Sequence, residues 1–150
     1  DCSFSQNRNL SFFDMRDYIR NNKITIDATI TDELPDGTMI FGHKQLFYLG
    51  DSEENIDYTT INPGTIQFGP YVSLTKGKYT VTVHGINLDA ADFDVTYNGG
   101  IETVDICDLS LRENEVTYTI FADDIDSVEF RTHNNSNEKI MISRIEILKD

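Results

Sequence analysis

From residue 24 onward the apolar residues of this chain fall on alternate positions, the period of a strand with one buried face. Ile24, Ile26, Ala28 and Ile30 alternate with Thr25, Asp27 and Thr29. The clearest stretch is 65–85. Gly69-Pro70 makes a corner, Val72 and Leu74 alternate with Ser73 and Thr75, and Lys76-Gly77 reads as a turn. Tyr79, Val81 and Val83 then share one face, with Thr80, Thr82 and His84 on the other. Phe93, Val95 and Tyr97 continue the pattern, as do Val116, Tyr118 and Ile120. Val128, Phe130 and Thr132 alternate with Glu129, Arg131 and His133. In the last run, 139–148, the apolar set changes parity from Ile140 and Ile142 to Ile145 and Ile147. That shift predicts a β-bulge near Ser143-Arg144.

Turn signals divide these runs. Pro35-Asp36-Gly37 and Asn62-Pro63-Gly64 are turns, and Asn98-Gly99 predicts a hairpin whose return strand lies in 101–107. Short strands are expected over 38–41 and 45–49. The acidic stretch 50–60 reads as a surface loop. Before residue 24 the periodicity is helical. Ser11 can cap a helix over 9–22, with Asp14 in the capping-box position and Phe12, Met15 and Ile19 near one face. The expected fold is all-β: an antiparallel β-sandwich of jelly-roll type, one domain over 1–150, with a single short N-terminal helix.

Charge narrows the partners. Twelve basic against 26 acidic residues leave a net charge of −14. Phosphate backbones and anionic membranes repel such a surface, so neither nucleic acid nor membrane insertion is expected. Cys2 and Cys107 are the only cysteines. Two residues give no framework, and free thiols are the expectation, favouring a reducing compartment. The first residue is Asp1, which reads as a processed protein or a domain cut from a larger one.

No nucleophile elbow, phosphate loop, dinucleotide fingerprint or zinc spacing occurs. His43, His84 and His133 are far apart in sequence. Three acidic groups have the composition of a hard-cation site: Asp51, Glu53 and Glu54; Asp89, Asp92 and Asp94; Asp123, Asp124 and Asp126. The last is the candidate for a structural calcium, although no cofactor is required. The polar strand faces offer a second kind of site. If Thr80, Thr82 and His84 neighbour Thr117, Thr119 and Phe121, and also Glu129, Arg131 and His133, the sheet presents hydrogen-bonding groups suited to sugar. Phe121, Tyr97, Tyr71, Tyr58 or Tyr48 would supply a ring for the apolar face of a pyranose.

Gln67-Phe68-Gly69-Pro70-Tyr71, Leu74, Gly77 and Tyr79-x-Val81-x-Val83 resemble the GPY-x-x-L-x-x-G-x-Y-x-V pattern of a bacterial β-sandwich module. Val128-Glu129-Phe130-Arg131 and the isoleucine-rich last strand fit the same module, so the resemblance covers about 60–148. Such modules are appended to glycosyltransferases and methyltransferases of surface-glycan assembly and are similar to jelly-roll carbohydrate-binding modules. The resemblance implies a non-catalytic domain that binds or positions a glycan beside other domains of a parent protein, on the cytoplasmic side of glycan assembly rather than secreted. Gln67 and Tyr71 at the rigid corner, His84, Arg131, His133 and Tyr97 are the expected ligand contacts. An oligomerisation or docking module within a glycan-assembly enzyme is the alternative. A glycan hydrolase would need two carboxylates roughly 5–9.5 Å apart in a cleft.

Overall fold

The computed structural model describes residues 38–150 and the two-residue strand Asp32–Glu33. The expected helix over 9–22, the run 24–30 and the turn Pro35-Asp36-Gly37 lie outside the described residues. In chain order the strands are β1 (Asp32–Glu33), β2 (Met39–Gly42), β3 (Phe47–Leu49), β4 (Ser52–Glu54), β5 (Thr59–Ile61), β6 (Ile66–Phe68) and β7 (Pro70–Leu74). They continue as β8 (Gly77–Ile86), β9 (Asp92–Tyr97), β10 (Glu102–Val104), β11 (Cys107–Leu111), β12 (Glu115–Ala122), β13 (Ile125–His133) and β14 (Ile140–Lys149).

Among the described residues these strands form two antiparallel sheets. Sheet I runs β1-β2-β14-β8-β12-β11, with β5 on the first part of β14 and β4 beyond it. Sheet II runs β10-β9-β13-β6-β3, with β7 on the first half of β13. The alternating residues explain why the sheets stack. Tyr79, Val81, Val83, Val116, Tyr118, Ile120, Ile145 and Ile147 of sheet I are buried against Phe93, Val95, Val128 and Phe130 of sheet II. Each such side chain contributes about 1.5–3 kcal/mol when fully buried. The fold is therefore an all-β antiparallel sandwich, as the periodicity predicts.

The expected centre is the actual one. β7 belongs to sheet II and β8 to sheet I, so Thr75-Lys76 carries the chain from one layer to the other. Gly69 sits at φ 96°, and a Cβ there would meet the Phe47 ring at 2.9 Å, so the corner requires glycine. The parity change in β14 is a register shift between Ile142 and Arg144, and Ser143 bonds back to the His84 carbonyl at 2.9 Å. Gly85 lies beside this bulge, where a Cβ would stand 1.9 Å from the Met141 carbonyl oxygen.

Three expectations are corrected. The acidic stretch 50–60 contains a hairpin, β4 against β5, in place of a plain loop. Asn55 builds its turn by accepting the Asp57 and Tyr58 N–H groups, each at 2.8 Å. The exposed strand Ser52–Glu54 buries nothing, so no periodicity announces it. Cys107 is disulfide-bonded rather than free. Sequence spacing carries no information on the Cα separation that permits a bridge. The sequence holds one other cysteine, Cys2, outside the described residues. Finally, the three polar strand faces are not one surface. Thr82 faces Thr117 and Thr80 faces Thr119 across β8 and β12, but β13 lies in the other sheet. No helix among the described residues is long and apolar enough to cross a membrane.

Candidate functional site

Polar groups gather in two places, and they differ in what they leave free. The first is the face of sheet II turned away from sheet I. Register sets Arg131 opposite Asp94 and Glu129 opposite Thr96. Arg131 donates from Nε to Asp94 Oδ1 at 2.8 Å and from Nη2 to Asp94 Oδ2, a forked pair, and His133 Nε2 lies 3.0 Å from Asp94 Oδ1. Burial alone would raise the Asp94 carboxyl, but the hydrogen bonds and charges of Arg131 and His133 outweigh it and hold Asp94 below the usual carboxylate range. Glu129 has the opposite balance. Burial pushes it up to about 7, against the charge of Arg131 and weak hydroxyl contacts at 3.4 Å from Tyr71 and Thr96. Glu129, Arg131 and Asp94 are at most 1% exposed.

Two carboxyls driven apart in this way would suit an acid and a base. Here neither has surface for a substrate, and one is held by arginine. The cluster is a buried ion network that locks β9 to β13.

This arrangement places four of the expected ligand contacts. Arg131 and His133 are buried and bonded to Asp94. Tyr71, at φ 73°, sits half-buried on the same face, edge-on to Phe47 and Phe68 with centroids 5.8 and 6.3 Å away. Gln67 points the other way, into the sandwich. It is fully buried, donates to the Phe130 carbonyl at 2.9 Å and accepts from Thr132 at 2.7 Å. His84 is separate again. It lies on the outer face of sheet I between Glu115 and Glu146, at 3.6 and 3.4 Å. The histidines do not converge: His43 is buried with Nδ1 2.8 Å from Thr59 Oγ1.

The second place is open. Three connections meet at one end of the sandwich: the β9–β10 hairpin, the β10–β11 crossing through Asp105-Ile106, and the β12–β13 crossing through Asp123-Asp124. The Asn98-Gly99-Gly100 turn is left-handed throughout, as the Asn-Gly signal predicts, and it sets Tyr97 opposite Glu102. Between these connections lies a cleft of about 300 Å³ lined by Tyr97, Thr103, Asp105, Phe121, Asp123 and Ile125, among others. A second hollow of about 560 Å³, bordered by Glu102, Asp124, Asp126 and Ser127, shares Tyr97 and Ile125 with it. Both fall in the size range of small-ligand sites. Phe121 is 49% exposed, an aromatic ring held partly in water.

The carboxylates of this groove have different duties. Asp124 accepts the Lys76 N–H at 2.7 Å and Asp126 accepts the Ser73 hydroxyl at 2.8 Å, so both brace the β7–β8 corner against β12–β13. The side chains of Glu102, Asp105 and Asp123 are exposed and carry no hydrogen bond or ion pair among the described residues. Asp123 borders the first hollow, and Asp124 and Asp126 border the second. No group of three or more His, Cys, Asp or Glu among the described residues could hold a metal ion.

Of the expected contacts, Tyr97 alone lines the groove, joined there by Phe121 from the ring candidates. Glu102, Thr103, Asp105 and Ile125 were not among the expected contacts. The hairpin signal places Glu102 across from Tyr97, but nothing in the pattern brings β12–β13 alongside.

No sequence family matches the chain, and no curated protein matches it in sequence. Solved structures do match. One is the C-terminal CBM6 of LamC, a marine laminarinase from Zobellia galactanivorans, with TM-score 0.56 and 16% identity over 75% of this chain and 99% of that one. Another is the carbohydrate-binding module CBM6cm-2 of Cellvibrio mixtus lichenase 5A, in complex with cellotriose, with TM-score 0.52 and 13% identity over 74% and 96%. At these identities the likeness is one of fold: this chain has the β-sandwich of CBM6 carbohydrate-binding modules.

Proposed function

We propose that this protein is a non-catalytic carbohydrate-binding module whose glycan lies in the groove between the β9–β10 hairpin and the β12–β13 crossing. One observation carries the reading: Tyr97 and the half-exposed Phe121 border the same groove as unpaired carboxylate acceptors. Rings stack on the apolar face of a sugar while carboxylates accept from its hydroxyls. The fold likeness to modules that include a cellotriose complex supports it.

Finer parts of the reading rest on less. The GPY resemblance over 60–148 supports an accessory role beside a glycan-assembly enzyme. Sequencing the flanking coding region would test this, and a partner domain of unrelated chemistry would end it. The Cys107 disulfide supports an oxidising compartment over the reducing one expected from free thiols and the cytoplasmic side that the resemblance implies.

Titration calorimetry with cello-, xylo- and laminari-oligosaccharides tests the binding function. Saturable binding to at least one, weakened about tenfold or more by Phe121→Ala or Tyr97→Ala, is the expected result. No binding to any at millimolar concentration, or binding indifferent to both substitutions, would contradict it.

A further inference from the structure

Resting on the groove being the glycan site, we infer that its preferred ligand carries free amino groups: a glycan of glucosamine-like units rather than a neutral or acidic one. The residues bordering the two hollows include Glu102, Asp105, Asp123, Asp124 and Asp126, and none of the bordering residues is Lys, Arg or His. A uronic acid or sulfated sugar would meet only repulsion. Asp124 and Asp126 each use an oxygen in bracing the corner, but Glu102, Asp105 and Asp123 have no partner among the described residues.

The spread of these carboxylates decides between kinds of cation. They do not converge as a metal site. They occupy both hollows, with the rings of Tyr97 and Phe121 alongside. Charges distributed in this way suit a ligand whose own charges repeat along a chain. An ammonium on each sugar meets a carboxylate while the ring face meets an aromatic side chain. Exposed ion pairs are individually weak, up to about fivefold each. Three acting together give a preference of about tenfold at low ionic strength, and salt screens it.

The test compares three oligosaccharides with one β-1,4 backbone: the glucosamine tetramer, its N-acetylated form and the glucose tetramer. Calorimetry at mildly acidic pH and low salt is expected to give about tenfold tighter binding of the amine form. That advantage should be lost in physiological salt and in the triple variant Glu102→Gln, Asp105→Asn, Asp123→Asn, whose unfolding curve should match the parent protein. Phe121→Ala should weaken all three ligands alike. Equal binding of all three would overturn the amine inference and leave the glycan groove standing. Absence of binding to any of the three would overturn the inference; the further absence of binding across the cello-, xylo- and laminari-oligosaccharides would end the glycan reading too. An oligolysine of equal charge bound as tightly as the glucosamine tetramer would show general attraction to an acidic surface, and would also overturn the inference.

Discussion

Two carboxylate-rich regions of this sandwich show opposite uses of the same side chain. On sheet II, Asp94 is buried, forked to Arg131 and touched by His133, with Glu129 two residues along on the same β9–β13 pair. In the groove, Glu102, Asp105 and Asp123 stand in water with no partner among the described residues. Buried charge is tolerated when it is paired and hydrogen-bonded, and it then specifies which strands lie side by side. Exposed, unpaired charge contributes little to folding and stays available to a ligand. A net charge of −14 therefore hides a division of labour that only pairing and burial expose.

The largest effect separating the two regions should come from Arg131. Arg131→Met leaves Asp94 buried without its fork, and about 3–5 kcal/mol of stability should go, measured by urea unfolding. A loss below about 1 kcal/mol would mean that the network is not structural. Glu129→Gln should act in the other direction. The unfolded chain releases this proton near the ordinary 4.5, while the folded protein holds it to about 7. Between those values the native state binds more protons, so this group lowers stability as pH rises across the window, by about 3 kcal/mol at most. Asp94, held low, contributes stability that is lost only as pH falls below the ordinary carboxylate range. Glu129→Gln should therefore stabilise by about 1–3 kcal/mol at pH 8 and by almost nothing at pH 4. An unchanged pH–stability curve would show that Glu129 is not the group responsible.

Groove substitutions should leave folding nearly untouched. Phe121→Ala is expected to cost roughly 1 kcal/mol or less in stability, since half the ring is already in water, yet to weaken glycan about tenfold. Asp123→Asn should stay within about 0.5 kcal/mol of the parent protein on urea unfolding. A larger loss would mean that Asp123 braces the crossing as Asp124 does.

The period-two runs made the sandwich legible, because every strand with one buried face writes its parity into the sequence. The β14 bulge was legible for the same reason: one extra residue moves Ile145 and Ile147 into the parity that faces the core. β4 was not, since all its side chains are exposed. The candidate site was harder to read. Tyr97 and Phe121 could be named as rings, but their meeting depends on which sheet each strand joins, and parity does not encode that. The same gap separated Gln67 from Tyr71. They look like neighbours at one corner, yet one points into the core and the other away from it. Arg131 drew attention because it alternates with Val128-Phe130-Thr132. Its partner Asp94 was grouped with Asp89 and Asp92 as a candidate cation cluster, because the pairing of β9 with β13 spans 37 residues and leaves no local signal.

Backbone NMR during titration with the β-1,4-linked glucosamine tetramer tests the central claim most directly. Amide shifts should move with saturation at Tyr97, Glu102, Thr103, Phe121, Asp123 and Ile125, and stay fixed at Asp94, Glu129, Arg131 and His133 and at His84. Saturable shifts centred on β13 or on the His84 face, with the groove silent, would contradict the account.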